Sequence, residues 1–317
     1  MINWKKNFDT YSRVLLLLLL IGIMAVARPG SFWTYENIAT VMFQQAPFTI
    51  LMSFGMTLAI ITKGIDKSMG SVLVLSNALC APFLKAGQYF LGVFLALGIG
   101  GASGALNGLL ITRVGIAPFI ATYGVDFIAL GLAFVLTNGG YVYGFSDSFR
   151  LLTNGTLIPG VPNIAVITLL IFLVLFFITR KTIFGRQIYS VGHNFNAATL
   201  SGIHAKNTVL IVYIINGLLA TVTGILYISR LNAADPNISG SFTLDSIAAT
   251  LIGGTSFGGG KGSVVNTVIG ALIIVFIRNS MNVLNVSTNW QQVMVGAVIV
   301  ISVFYEWFTN RMAKAEK

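Results

Sequence analysis

Charged residues are scarce in this chain. Only 9% of its 317 residues are Asp, Glu, Lys or Arg, whereas 56% are hydrophobic. A soluble domain carries about 25% charged residues, so the composition excludes a soluble protein and indicates a chain that lies largely in lipid. The mean hydropathy of +0.86 agrees with this. We therefore predict an all-α, polytopic membrane protein with almost nothing left over for a soluble domain.

Cysteine, histidine and acidic residues are also scarce. Cys80 is the single cysteine, so no disulfide can form within the chain. His193 and His204 stand eleven residues apart with no cysteine near them, which is not the spacing of a metal site. Nine acidic residues in total leave little material for acid–base catalysis. We expect no bound metal, no cofactor and no catalytic residues.

A glycine-rich stretch at 255–263 resembles a phosphate loop but has the wrong spacing. The phosphate-loop pattern needs a glycine five residues before its Gly-Lys-Ser/Thr, and Thr255 occupies that position. A further glycine, Gly262, follows the lysine where Ser or Thr is required. This stretch therefore does not bind ATP.

Apolar runs separated by breaks predict about ten membrane spans, with both broken and re-entrant segments among them. The runs are 14–27, 38–62, 68–86, 89–111, 118–137, 162–179, 207–229, 244–260, 263–284 and 290–308. Several are short or interrupted by glycine, 244–260 above all, so the count ranges from eight to eleven.

The basic residues divide unequally between the two sides of the predicted membrane. With the N-terminus inside, 14 of the 19 Lys and Arg fall in inside segments and five fall outside. The five on the outside are Arg28, Lys85, Arg150, Arg230 and Arg278. Positive charge on the cytoplasmic side is the usual asymmetry of membrane proteins. The distribution of the basic residues therefore predicts that both termini are cytoplasmic. It also accounts for the net charge of +10 without a nucleic-acid partner.

Asp66 lies in a polar, glycine-flanked break between two long apolar runs. The break reads Lys-Gly-Ile-Asp-Lys-Ser-Met-Gly-Ser at 63–71. An ionisable residue at a helix break inside a membrane protein indicates a functional site. The same sequence also fits a cytoplasmic turn with a solvated carboxylate, so two interpretations stand at this point.

Uncharged polar residues recur within the predicted spans. Amides in hydrocarbon cost several kcal/mol unless they are paired, so they must face other helices or water. As a set they suit a path for a neutral hydroxylated solute, although helix–helix contacts explain any one of them. The predicted translocation path consists of Gln44, Gln45, Asp66, Ser68, Asn107, Thr122 and Asn216. Asp126, inside the span 118–137, leaves open a path coupled to protons or sodium.

The inside loop at about 180–206 is long enough to form one or two short helices outside the bilayer. Long ordered loops tend to be functional, which favours a contact with a partner over a plain connection.

Several motifs together carry a family resemblance. They are Gly-Ile-Asp-Lys-Ser-Met-Gly-Ser at 64–71, Phe-Ile-Ala-Thr at 119–122, Phe-Gly-Arg-Gln-Ile-Tyr-Ser-Val-Gly-His-Asn at 184–194, Leu-Asp-Ser-Ile-Ala-Ala-Thr-Leu-Ile-Gly-Gly-Thr-Ser at 244–256 and Gly-Gly-Lys-Gly at 259–262. In order and spacing they resemble the membrane subunits of ribose-type ABC sugar importers.

The resemblance implies one transmembrane permease domain over residues 1–317, in the plasma (inner) membrane of a prokaryote. Its partners would be a cytoplasmic ABC ATPase subunit, an extracytoplasmic sugar-binding protein and a second permease copy or paralogue, in contact with membrane lipid. It would import a monosaccharide such as ribose. The loop that docks into the ATPase would include Tyr189, Gly192, Asn194, Ala197, Ala198 and Gly202.

Lys67 departs from the family pattern, which has an apolar residue at this place. We expect this lysine either to hold the break at the cytoplasmic surface or to pair with Asp66. The alternative function is an ion-coupled secondary transporter of a small neutral solute that uses Asp126 or Asp66. An intramembrane enzyme would need a nucleophile and a base paired within the spans, and the sequence offers none.

Overall fold

The computed structural model describes the backbone of residues 4–315 and the side chains of residues 11–304, 307, 308 and 311. The protein is 78% helical. Its helices are α1 (Trp4–Ala27), α2 (Tyr35–Thr40), α3 (Ala46–Ile61), α4 (Met69–Lys85), α5 (Tyr89–Leu109), α6 (Pro118–Thr137), α7 (Asp147–Asn154), α8 (Asn163–Lys181), α9 (Ile183–His193), α10 (Phe195–Leu200), α11 (Ala205–Leu231), α12 (Ser239–Ile252), α13 (Val264–Val283) and α14 (Thr288–Ala315).

Two π-helical turns lengthen these helices. The turn Val41–Gln45 joins α2 to α3 in one continuous helix, Tyr35–Ile61, and the turn Leu110–Val114 extends α5. In the described part of the chain, six helices are long and apolar enough to cross a membrane: Tyr35–Ile61, Tyr89–Val114, Pro118–Thr137, Asn163–Lys181, Ala205–Leu231 and Val264–Val283. Three shorter apolar segments, Tyr11–Ala27, Met69–Lys85 and Thr288–Phe304, accompany them. The prediction of an all-α membrane protein is confirmed at this level.

The centre of the bundle is built around α3 and α11. Every residue of α3 is buried, as expected for a helix that is apolar on all sides and enclosed by other helices. Glycines let α11 approach α5 closely, since a Cβ on Gly217 would lie 2.0 Å from the carbonyl oxygen of Gly100. The apolar side chains of α6, α8 and α14 instead point outward, where a membrane protein meets lipid or another subunit.

A small structured region closes one end of the bundle. Strand β1 (Val142–Tyr143) pairs antiparallel with β2 (Ala233–Ala234), with Val142 opposite Ala234. The N-cap of α7, Ser146, accepts a hydrogen bond from the backbone of Phe149. These elements lie in and near the segments that the sequence analysis assigns to the outside.

Two breaks meet at the opposite end. Residues 62–68 separate α3 from α4, and residues 253–263 separate α12 from α13. The N–H of Gly260 donates to the carbonyl of Ile61 at 2.8 Å, which joins the second break to the end of α3. Sequence analysis predicted a span at 244–260, but α12 begins earlier and ends at Ile252. The helix ends there because Gly254, Gly259 and Gly260 adopt positive φ angles that a helix cannot contain.

Candidate functional site

The first break folds back against the bundle as α3 ends. The N–H of Gly64 donates to the carbonyl of Ala59 at 2.9 Å, and Lys63 takes a left-handed conformation with φ of 63°. This is the usual geometry of a helix C-terminus, although glycine is the residue that normally occupies it. The turn directs Asp66 into the interior, where it is 1% exposed. Asp66 is therefore not a solvated residue of a surface turn.

Asp66 organises a network of buried polar groups. Its Oδ1 accepts hydrogen bonds from the backbone N–H of Ser68 at 3.1 Å and from the Ser68 hydroxyl at 2.6 Å. The amide of Asn107, on α5, donates to the same hydroxyl at 2.7 Å. These three side chains are each 1% exposed. Buried polar groups of this kind fix one arrangement of the chain when they satisfy each other.

Asn216 connects the network to α11. Its amide lies 3.5 Å from Asp66 Oδ2, a long approach for a hydrogen bond. With the amide nitrogen turned the other way, it donates to the carbonyls of Gly55 at 2.8 Å and Val212 at 3.2 Å. The shorter contacts favour this second orientation, which ties α3 to α11 directly beside Asp66.

Thr122 fastens α6 to the same break. The backbone N–H of Lys67 donates to its hydroxyl oxygen at 3.1 Å, and that hydroxyl lies 2.9 Å from the carbonyl of Pro118 and 3.1 Å from the carbonyl of Ile65. Five predicted path residues, Asp66, Ser68, Asn107, Thr122 and Asn216, therefore meet around one buried break. Each is at most 1% exposed, so they lie behind the surface of any path rather than on it.

The two predicted glutamines lie elsewhere. Gln44 and Gln45 belong to the π-helical turn, at the end of the helix remote from the break. Gln44 accepts a hydrogen bond from the guanidinium of Arg230, at the C-terminal end of α11. Gln45 is exposed. The structure does not bring these two residues together with the other five.

Lys67 pairs with Asp126 and not with Asp66. Its Nζ lies 2.9 Å from Asp126 Oδ2, and the hydroxyl of Ser71 donates to Asp126 Oδ1. The expectation of a pair with Asp66 is wrong because the turn directs the Asp66 carboxylate toward Ser68, on the opposite side from α6. Lys67 Nζ also lies 5.9 Å from the centre of the Tyr123 ring.

Sequence analysis missed the roles of Ser71, Thr243 and Tyr213. The N–H of Gly70 donates to the Thr243 hydroxyl at 3.1 Å, which links the start of α4 to α12. A Cβ on Gly64 would lie 2.2 Å from the Tyr213 hydroxyl, so this tyrosine closes the inner side of the break. Ser71 follows Asp66 by five residues, and its contact with α6 follows only from the packing of α4 on α6.

The predicted docking loop forms the two short helices α9 and α10. Asn194 caps α10 by accepting a hydrogen bond from the N–H of Ala197 at 3.0 Å, and Ala198 is buried against the bundle. Gly202 ends the pair of helices with φ of +83°. The outward surface is mainly polar but includes the exposed apolar side chains of Ile183, Phe195 and Leu200, of which Leu200 is 90% exposed.

Both breaks are held against α9 by backbone contacts. A Cβ on Gly192 would lie 1.8 Å from the carbonyl oxygen of Ile61 and 2.7 Å from the nitrogen of Gly260, so only glycine fits there. The Tyr189 hydroxyl donates to the carbonyl of Gly262 at 3.1 Å. Burial raises the pKa of Tyr189 above its ordinary value, and the nearby charge of Arg180 lowers it by less. The phenol therefore keeps its proton for this hydrogen bond.

The buried acids of this site contact hydroxyls and a lysine. Within the described residues, no group of three or more His, Cys, Asp or Glu side chains could hold a metal ion. Asp66 and Asp126 accept hydrogen bonds from serine hydroxyls, but no histidine lies beside them to complete a nucleophilic pair. The geometry instead joins a buried polar break to two helices at the molecular surface, as a conformational machine requires.

Comparison with known proteins gives the family. The branched-chain amino acid transport system / permease component family matches residues 37–303. The D-allose transport system permease protein of Escherichia coli K12 is 38% identical over 303 residues, which cover 95% of this chain and 92% of that protein. The ribose import permease protein of Bacillus subtilis 168 is 39% identical over 293 residues, covering 92% and 90%.

A more distant relative is the galactose/methyl galactoside import permease protein of Haemophilus influenzae, 28% identical over 94% of this chain. No solved structure matches the chain. The family match covers most of the sequence and includes both breaks and the two helices α9 and α10. This multi-pass membrane protein therefore belongs to the family of the branched-chain amino acid transport system / permease component.

Proposed function

We propose that this chain is the permease subunit of an ATP-driven ABC importer that carries a monosaccharide across the membrane. The observation that carries the proposal is the similarity, over more than nine tenths of the chain, to permeases named for allose and ribose. The family takes its name from amino acid transport, but the relatives compared above are named for sugars. The buried cluster agrees with a solute that has hydroxyl groups and no charge, because hydroxyls and amides surround its one carboxylate, Asp66.

Ten helical segments supply ten crossings in this proposal, with both termini in the cytoplasm. Six are the long apolar helices, three are the shorter segments in α1, α4 and α14, and the tenth is α12. Two observations support this count. The breaks after α3 and α12 meet at one end of the bundle together with α9, and β1 pairs with β2 elsewhere, among segments that sequence analysis places outside.

The surface of α9 and α10 is the docking site for the cytoplasmic ATPase in this proposal. It contacts both breaks through Gly192 and Tyr189, so a force applied to α9 reaches the ends of α3, α12 and α13 directly. Leu200 offers an exposed apolar side chain at the surface. Coupling of this kind needs two states of the permease that the partner binds with different affinity.

The remaining partners follow from the family and the sidedness. An extracytoplasmic sugar-binding protein would meet the end that carries α7 and the two strands, and a second permease copy or paralogue would complete the path. Residues 1–317 act as one permease domain in the inner membrane of a prokaryote. The cluster of Asp66, Ser68, Asn107, Thr122 and Asn216 would support the path from inside each subunit.

The second candidate function is an ion-coupled secondary transporter, in which Asp126 or Asp66 would bind the coupling ion. The pairing of Asp126 with Lys67 at 2.9 Å opposes it, because the ammonium already occupies the carboxylate oxygen that a coupling ion would have to contact. Uptake by the chain alone in vesicles, driven by an ion gradient without ATP, would support this candidate.

The first test of the importer is co-purification. The tagged chain is isolated in mild detergent, and the proteins that accompany it are identified by mass spectrometry. An ATPase with a Walker motif should be recovered. Leu200→Asp should reduce its recovery, whereas Leu157→Asp, a matched change at a leucine that is 79% exposed in the predicted outside loop, should not. Recovery of the chain without any ATPase in several detergents would oppose the proposal.

A further inference from the structure

The ion pair between Lys67 and Asp126 lies halfway along a membrane-spanning helix. Asp126 is eight residues after Pro118 and eleven before Thr137 in α6. At a rise of about 1.5 Å per residue, the carboxylate is therefore roughly 12 Å or more from either end of the helix. A charged group at that depth is costly in hydrocarbon, so it must face protein or water.

The pair is not fully enclosed by the chain. The Lys67 side chain is 24% exposed, and the neighbouring Tyr123 is 42% exposed. Tyr123 belongs to a row of aromatic rings on the outer side of α6, stacked on Phe119 and in edge contact with Phe127. A partly exposed lysine that pairs with a carboxylate at this depth indicates that the face meets water during some part of the protein's cycle.

A second ion pair shows what a purely structural arrangement looks like. Arg278 Nη2 lies 2.6 Å from Asp245 Oδ1, and its guanidinium also reaches Gln291 on α14. Arg278 is only five residues before the end of α13, so its side chain lies close to the membrane surface. Three helices, α12, α13 and α14, surround it. The exposed fractions of the two cations are similar, 24% for Lys67 and 19% for Arg278, so the pairs differ in the depth of Asp126 along α6 and in what lies beside the cation.

The predicted path residues cannot themselves line an open path, because all five that come together are buried. Lys67 and Tyr123 lie in front of them, on the exposed side of the same break. Lys67 has three N–H donors, and one of them is used by Asp126. The two remaining N–H donors of Lys67 form a polar surface, and the face of the Tyr123 ring forms an aromatic surface beside it.

We propose that Lys67 and Tyr123 form a solute-contact site on the wall of the translocation path, with Asp126 as the residue that positions Lys67. The inference rests on the proposed function. The ammonium donates hydrogen bonds to the oxygens of a neutral sugar, and the electron-rich face of the ring packs against its C–H groups. Contact is brief and weak, because a transport path must release what it binds.

Thiol labelling tests whether the face is wet. Tyr123→Cys is compared with Phe177→Cys on α8, in the assembled complex purified through a tag on this chain and reconstituted with ATP. The two positions are matched: Tyr123 is five residues from the start of α6, Phe177 is four residues from the end of α8, and Phe177 is 60% exposed. Cys80 is fully buried and gives a low background.

A charged methanethiosulfonate reagent should label Tyr123→Cys at least tenfold faster than Phe177→Cys, because a thiol in lipid does not ionise. Equal rates would overturn the proposal. A disulfide between two copies at position 123, without labelling, would also overturn it, since the face would then be a closed subunit contact.

Uptake tests whether the wet face contacts sugar. Lys67→Met is compared with Arg278→Met, which also leaves a nearly buried carboxylate without its partner. Transport of labelled D-ribose, D-allose and D-galactose is measured per assembled complex. Lys67→Met should lower the maximal rate about tenfold and change the preference among the sugars, whereas Arg278→Met should lower only the amount of complex. Lys67→Arg, which keeps the donors, should restore part of the rate.

The outcomes separate this inference from the proposed function. If the wild-type complex imports one of the three sugars but Lys67→Met behaves like wild type per complex, the importer stands and the contact site is refuted. If the wild type imports none of the three, the proposed function loses its support, while the labelling rates still decide whether the face of α6 is wet.

Discussion

The non-helical backbone of the two breaks is held in place by different kinds of contact. The break at 62–68 is held by side chains, with Asp66, Ser68 and Asn107 joined by hydrogen bonds in the interior. The break at 253–263 is held by backbone contacts, because Gly259 and Gly260 bring the chain against Ile61 and α9. Both meet the end of α3 and contact α9, but only the second break places its own backbone against α9, through Gly259 and Gly260. The first is therefore suited to support the path, and the second to transmit movement from a partner.

The largest effect is expected where α9 meets both breaks. Gly192→Val places a side chain within 2 Å of the Ile61 carbonyl, an overlap that costs about 1–3 kcal/mol or more. A Cβ at this position would lie 1.8 Å from that oxygen. Sugar uptake per ATP hydrolysed should fall on the order of tenfold, the change that about 1.4 kcal/mol produces.

Gly98→Val is the matched control for this substitution. Gly98 is also a glycine within a helix, and a Cβ there meets no atom within 4 Å. It should leave uptake per ATP unchanged. Equal coupling in the two variants, measured by uptake and ATPase activity on the same proteoliposomes, would show that α9 does not carry the movement.

A smaller effect is expected at the side-chain-held break. Asp66→Ala removes the acceptor for Ser68 and leaves buried donors unpaired, at a cost of about 1–3 kcal/mol. Transport should fall clearly. Asp66→Asn keeps one oxygen in place and should be milder. Asp147→Ala, at a side chain that is 97% exposed, should behave like wild type. If Asp66→Ala matches Asp147→Ala in an uptake assay, the buried network does not support transport.

Gly202 should matter less than Gly192, although both lie in the same predicted docking loop. A Cβ at Gly202 meets no atom within 4 Å, so the cost comes only from its φ of +83°. Gly202→Ala should lower stability by about 1–2 kcal/mol and leave the coupling of assembled complexes intact. Thermal unfolding and uptake per ATP together check this. A coupling loss as large as that of Gly192→Val would place the transmission at Gly202 instead.

The smallest effect is expected at the exposed link between the first break and α9. Lys63 Nζ donates to the carbonyl of His193 at 3.2 Å, but this lysine is exposed and competes with water. Lys63→Met should change stability by no more than about 0.5 kcal/mol. A large shift in unfolding temperature would mean that this side-chain contact, and not only the close backbone packing at Gly192, holds the first break against α9.

Sequence patterns predicted the helices better than the contacts between them. The span 118–137 matches α6 at both ends, and the loop at 180–206 contains two short helices as expected. The span 244–260 was misplaced because its apolar character continues past Ile252 while the backbone does not remain helical. A run of apolar residues can be read from the sequence residue by residue. The end of a helix depends on the φ angles of the backbone, which apolar character does not specify.

Only part of the candidate site could be predicted, because sequence patterns do not specify which helices contact each other. Asp66 drew attention as an acid at a break, and five of the seven path residues do come together around it. The glutamines do not, because polarity within a span does not say which end of the bundle a residue reaches. The docking function assigned to Tyr189, Gly192, Asn194, Ala197, Ala198 and Gly202 remains a prediction.

The sequence by itself determined that this chain lies in a membrane, where most of its helices run and which family it resembles, because these depend on composition and local order. Only the tertiary structure decided that Asp66 is buried, that Lys67 pairs with Asp126 across 59 residues, and that Gly192 touches the ends of both breaks. Such pairings join residues that are distant along the chain, and no local pattern specifies which of several polar groups will meet when the helices pack.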